Sequence, residues 1–150
     1  MTIRFREGGR EDVAAVVALM ADDMLGETRE AAGMDQYLAA FDAMQREGAN
    51  RLIVGEDDAG AVVATYQLTF ISGLSLSATR RAQVEGVRVA GHLRGQGVGA
   101  QMFADVERRA RGAGCGLIQL TMNKSRTDSH RFYERLGFTA SHIGFKRYLD

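Results

Sequence analysis

Residues 94–100 read Arg94-Gly95-Gln96-Gly97-Val98-Gly99-Ala100, with glycine at every second position. The stretch lies between a strand-like run, Ala78 to Val89, and a helix-like run whose apolar stripe is Val98, Met102, Phe103, Val106 and Ala110. Bare backbone there lets a ligand approach the amides closely. The first-turn N–H groups of a helix have no internal partner, and the dipole places partial positive charge beside them. Together these features make an anion site suited to phosphate or pyrophosphate, and Arg94 adds a full charge at its mouth. A tight strand-to-helix turn without a ligand is the bland alternative. No Lys-Ser/Thr follows the last glycine, so the loop is not a Walker loop, and its G-x-G-x-G spacing is not the dinucleotide fingerprint.

Outward from the loop, a mixed α/β pattern unfolds. Thr2 to Arg6 alternates as a strand. Val13, Val16, Val17, Met20 and Met24 recur at helical spacing, with Glu11 and Asp12 in the first turn. A second helix carries Met34, Tyr37, Leu38, Phe41 and Met44 and stops near Gly48. The runs from Arg51 and from Ala61 flank an Asp/Gly turn and read as a hairpin. Ser72 to Ser77 reads as a loop. In the strand from Ala78, Gly86 marks a bulge or a close backbone approach. Cys115 to Met122 is a strand, Asp128 to Leu136 a helix, and Phe138 to Leu149 has room for one or two closing strands. The expected order is β-α-α-β-β-β-α-β-α-β, a sheet with helices on its faces.

The chain has 150 residues and is expected to be one domain, 1–150. It has 18 glycines and no proline, so its turns must be built with glycine. The formal net charge is zero, which argues against a nucleic-acid binder relying on bulk electrostatics. The single cysteine, Cys115, forms no intrachain disulfide and suits a reducing compartment. The charged N-terminal residues contain no apolar signal core, and no run reaches membrane-span length. A cytoplasmic protein is expected. His92, His130 and His142 match no metal-ligand spacing, so no metal is expected.

The stretch Arg94 to Gly99 resembles the Arg/Gln-x-x-Gly-x-Gly/Ala signature of the GNAT superfamily of N-acetyltransferases. The run before it, Val84 to Leu93, is similar to the strand that precedes the signature in that family. His130 to Phe138, HRFYERLGF, resembles its second, tyrosine-bearing helix, at the right separation. The resemblance covers nearly the whole chain. It implies a central, mostly antiparallel twisted sheet of six to seven strands, splayed in the middle and flanked by about four helices.

It also implies acetyl-CoA as acyl donor, with Arg94, Gly95, Gln96, Gly97, Val98, Gly99 and Ala100 around the pyrophosphate. Backbone groups of Val87 and Val89 would hold the pantetheine arm. Tyr133 falls at the family's tyrosine, a phenol of ordinary pKa near ~10 able to protonate a departing thiolate; its other reading is a core aromatic beside Phe132. Glu85 is the candidate base, alone or through water, and its other reading is a solvated charge. Where many members carry an asparagine seven residues before the tyrosine, this chain has Arg126; Asn123, three residues earlier, is the candidate replacement. Tyr66 is a candidate for lining the acceptor cleft, and Asp22, Asp23 and Glu27 for attracting a cationic amine. The acceptor is expected to be a small-molecule or peptide amine, and the resemblance allows a homodimer. The alternative is a coenzyme A-binding regulatory module without catalysis.

Overall fold

The computed structural model describes residues 1–22 and 33–150. Met24, Asp23 and Glu27 of the expectations above lie outside the described residues. Two compact units divide the chain, Met1–Gln119 and Leu120–Asp150.

In the first unit, five strands follow one another across one sheet in chain order: β1 (Arg4–Glu7), β2 (Asn50–Glu56), β3 (Val62–Ile71), β4 (Arg81–Val89) and β5 (Leu117–Leu120), which ends at the unit boundary. The pairs β1–β2, β2–β3 and β3–β4 are antiparallel. Among the described residues of this unit, three helices of more than two turns stand out: α1 (Val13–Ala21), α2 (Met34–Glu47) and α3 (Val98–Gly112). All five residues expected on the α3 stripe are buried. They pack on the sheet face that carries Tyr66, Leu68, Ala82 and Val84, each 0–1% exposed. α1 stands against the other face, where Arg6, paired across from Val54, holds Asp12 at the start of α1.

The differences from expectation have identifiable causes. β1 begins at Arg4 because the Ile3 N–H is donated to the Gln101 side chain of α3 at 2.9 Å, outside the ladder. β4 begins at Arg81, not Ala78, because Leu76, Ser77 and Ala78 all have positive φ, a left-handed turn of three non-glycine residues. The second unit contains α4 (Thr127–Arg135), closed by Gly137 at φ +92°. The strands expected within Phe138 to Leu149 are absent, so the described residues form a sheet of five strands where six to seven were expected. Length enough for a strand supplies no partner ladder. Ile143, Phe145, Tyr148 and Leu149 stand exposed there.

Candidate functional site

A one-turn 3-10 segment, Gly91–Leu93, links β4 to the glycine loop and anchors it through buried Leu93. Gln96 ties the loop back, its N–H to the Leu93 carbonyl and its Nε2 to the His92 carbonyl. Gly95 and Gly97 adopt φ +78° and +82°, and a Cβ at either would meet nothing within 4 Å. Glycine is needed there for the left-handed backbone, and the space beside it is open. The first helical bond of α3 runs from the Gln101 N–H to the Gly97 carbonyl. The amides of Val98, Gly99 and Ala100 therefore precede any helical acceptor. No acidic residue occupies this first turn, so nothing within it neutralises the dipole. Val98 sends its side chain into the core and has only its backbone to offer. Arg94 is exposed and has no ion-pair partner among the described residues.

The strand before the loop is bulged. Thr65 pairs with Arg88 and Gln67 with Glu85, so Gly86 and Val87 together oppose Tyr66. Gly86 takes φ +62°, as the sequence suggested for a bulge. The extra residue inverts the alternation. Glu85 shares a face with Gln67, whereas Val89, paired with Ala64, lies on the opposite face. Plain alternation along the strand would put Glu85, Val87 and Val89 on one face; the bulge separates Glu85 from Val89. Glu85 is exposed. The Val87 carbonyl accepts a 2.8 Å bond from the Arg88 guanidinium.

In the second unit, Tyr133 is half-buried between Phe132 and Phe138, meeting both rings edge-on at 5.2 and 5.8 Å. His130 pairs with Glu134 one turn on, at 3.1 Å, and His142 with Ser141. Asn123 forms the turn into α4: its side-chain oxygen accepts from Ser125 N and Oγ, and its carbonyl from Arg126 N. Only its amide group remains for a cofactor.

Tyr66 does not line a cleft. It is fully buried, and its hydroxyl donates to Asp105 Oδ2 at 2.6 Å. Asp105, buried in the middle of α3, also accepts from Arg109 Nε at 2.7 Å and from Arg108. Burial and the bond to Asp105 raise the Tyr66 phenol far above its ordinary pKa. Burial opposes ionisation of Asp105, but the Tyr66 and Arg109 bonds outweigh it and hold the carboxyl below the usual range. The sequence signal for this network was an aspartate within an apolar stripe, three and four residues before two arginines; nothing marked Tyr66 as its partner.

Sequence reasoning also missed a polar patch. Gln67, Thr69, Gln83 and Asn50 share the face of Glu85 and are half-buried. Asn50 Oδ1 accepts from Gln67 Nε2 at 2.8 Å and Thr69 Oγ1 at 3.3 Å, and Gln83 Oε1 accepts from Gln119 at 2.7 Å. Among the described residues, no group of three or more His, Cys, Asp or Glu is placed to hold a metal ion, and no helix is long and apolar enough to cross a membrane.

Residues 16–138, a span that takes in both the glycine loop and Tyr133, match the model of the Acetyltransferase (GNAT) family. An aminoalkylphosphonate N-acetyltransferase of Salmonella typhimurium strain LT2 is 40% identical over 67 residues. That match spans 45% of this chain and 44% of the relative, less than half of its length. The crystal structure of a transcriptional regulator from Bacillus halodurans C-125 superposes with TM-score 0.92 at 39% identity, covering 99% of this chain and all of the other. Glucosamine-6-phosphate N-acetyltransferase from Arabidopsis thaliana shares the fold, with TM-score 0.79 at 17% identity and full coverage of both chains. The chain belongs to the GNAT acetyltransferase family.

Proposed function

We propose that residues 1–150 act as one acyltransferase domain that moves an acetyl group from acetyl-CoA to a primary amine. The observation that carries this reading is the start of α3. Two left-handed glycines, three first-turn amides without helical acceptors, no carboxylate in that turn and an Arg94 without an ion-pair partner among the described residues fit a pyrophosphate. Arg94 and the amides of residues 95–100 would hold it, and backbone groups of Val89 and Val87 the pantetheine arm. The Val87 carbonyl already accepts one bond from Arg88 and keeps a second lone pair for the arm.

In the reaction, the neutral amine attacks the thioester carbonyl, a C–N bond forms and the C–S bond breaks. One proton passes from nitrogen to Glu85 or a water, and Tyr133 delivers one to the departing sulfur. The products are an N-acetyl amine and coenzyme A thiol, and the donor needs no enzyme nucleophile. A backbone N–H of β4 is the candidate oxyanion donor. The Salmonella relative is named for aminoalkylphosphonates, which makes small amines of that kind the first acceptors to try.

A second reading is a coenzyme A-binding regulatory module; it is favoured by the name of the Bacillus halodurans structure. Calorimetry with acetyl-CoA, coenzyme A, ATP and NAD, followed by a thiol-release screen of amines, separates the two. Selective binding of acetyl-CoA and coenzyme A with turnover of an amine, lowered in Tyr133→Phe, supports the transferase. Binding without turnover of any amine supports the module. Preference for ATP or NAD sinks both.

A further inference from the structure

We propose that the polar sheet face between Arg81 and Glu85 receives the acceptor, and that Arg81 binds an anionic oxyacid group on that acceptor. This rests on the acetyltransferase reading and names its acceptor class: a short amine carrying a phosphonate, phosphate or carboxylate.

The strand register defines the face. Ile71 pairs with Arg81, Thr69 with Gln83 and Gln67 with Glu85, all before the bulge and all on one side. Nearer α1 the same side is ordinary core, with Val63 and Thr65 at 4% and 1% exposure. From Gln67 onward it becomes polar and half-buried. Half-buried amides cost desolvation unless they are partnered. Here they partner one another through Asn50 and through the Gln83–Gln119 bond, which fixes their directions before any ligand arrives.

Three arginines cluster at this end of the sheet, and two are accounted for. Arg51 pairs with Glu7 and lies over the Phe70 ring. Arg80 lies over the same ring at 5.4 Å and bonds Ser72 at 2.8 Å. Arg81 points its side chain to the opposite face from Arg80. Its Nε, like those of Arg80 and Arg88, is buried without a hydrogen-bond partner; unlike theirs, its guanidinium makes no other hydrogen bond and no ion pair among the described residues. A buried guanidinium nitrogen without an acceptor is costly, and the planar fork matches an oxyacid. The backbone beside it, Leu76 to Ala78, is held in left-handed strain, a condition found at ligand clamps.

Glu85 lies four residues along the same face, about 13 Å between Cα atoms at ordinary strand rise. The Arg81 guanidinium lies beside Gly73 at one end of this face and the exposed Glu85 stands at the other, with the half-buried Gln83 and Thr69 between them. The acceptor's ammonium group would face the carboxylate of Glu85 and its oxyanion the guanidinium of Arg81. Gln83 and Thr69 lie between them as hydrogen-bonding groups. The patch thus presents one negative and one positive end, the complement of a zwitterion.

The test uses the full chain with acetyl-CoA and follows thiol release from 2-aminoethylphosphonate, O-phosphoethanolamine, β-alanine and uncharged n-propylamine. The oxyacid amines are expected to exceed n-propylamine in kcat/KM. Arg81→Met should lower kcat/KM for them by roughly 10- to 100-fold, the value of a hydrogen-bonded charge pair. It should leave kcat/KM for n-propylamine and the Kd for acetyl-CoA unchanged, and Arg81→Lys should restore part of the loss. The order among phosphonate, phosphate and carboxylate identifies which oxyacid the site prefers. Equal rates for charged and uncharged amines, unaffected by Arg81→Met, would overturn the proposal while leaving the transferase reading intact. If no amine turns over, calorimetry of 2-aminoethylphosphonate with coenzyme A present decides. Arg81-dependent binding keeps the anion site and removes the transferase reading; absence of binding removes the anion site. Gln83→Leu serves as a second variant should Arg81→Met fail to fold, with the same selective loss for oxyacid amines expected.

Discussion

Replacing Tyr66 by Phe isolates one buried hydrogen bond. The ring is fully buried and stays in place beside Phe5 at 6.4 Å, so no cavity of carbon size opens. The hydroxyl is lost, and with it the 2.6 Å donation to Asp105. Asp105 keeps Arg109 at 2.7 Å and Arg108, so no buried charge is orphaned. What remains is the value of one hydrogen bond to a charged group, about 2 kcal/mol. For a chain of this size that lowers Tm by roughly 4–8 °C. The sign with pH follows from Asp105, whose carboxyl is depressed in the folded state. A depressed carboxyl contributes stability above its unfolded pKa, near ~4, and loses it as pH falls through the folded value. The penalty of Tyr66→Phe should therefore be full at pH 7 and shrink at acid pH. Urea unfolding followed by far-UV circular dichroism at both pH values measures it. A change under about 0.5 kcal/mol at pH 7, within the range of ordinary surface substitutions, would refute the assignment of Asp105 as a charged acceptor. So would an equal penalty at both pH values.

Other outcomes follow from the same structure. Gly97→Trp should fill the open space at the start of α3 and weaken acetyl-CoA binding at least tenfold by calorimetry while the circular dichroism spectrum is kept; unchanged affinity would remove the loop from the donor site. Ser77→Gly should stabilise the chain by about 1 kcal/mol in urea, because glycine relieves a left-handed residue at φ 57°. Lower stability would mean that the Ser77 side chain makes contacts that matter more than the strain. Asp12 is held below the ordinary carboxylate range by its bonds from Arg6, against burial, and by the Gly9 N–H. Its stabilisation is present above about pH 4 and fades below it, so Tm should fall on acidification, and Asp12→Asn should flatten that fall. A parallel acid profile in the variant would exclude Asp12 as a source.

Much of the fold could be read from period and punctuation. The five stripe residues of α3, the hairpin around the Asp57–Gly60 turn and the bulge at Gly86 all follow from local patterns. What escaped was non-local. Ile3 looked like a strand residue but gives its N–H to Gln101, 98 positions away. The run after Phe138 had room for one or two strands yet has no ladder, since a strand exists only with a partner. Tyr66 looked available to a ligand because nothing near it in sequence names Asp105, 39 residues later. For the candidate site, the glycine loop was legible because its backbone requirement is local. The faces of β4 were not, because one inserted residue inverts the alternation from which they were read.

That inserted residue also shapes how the site can change. Before the bulge, substitutions at 81, 83 and 85 alter what meets the polar patch; beyond it, position 89 looks to the opposite side. A single strand therefore carries two addresses that mutate independently. In the acetyl transfer proposed above, acceptor preference would drift through the first half of β4 while the backbone proposed to meet the donor stays as it is. Deleting one residue at 86 would join the two halves into one register, turning every side chain of one half inside out.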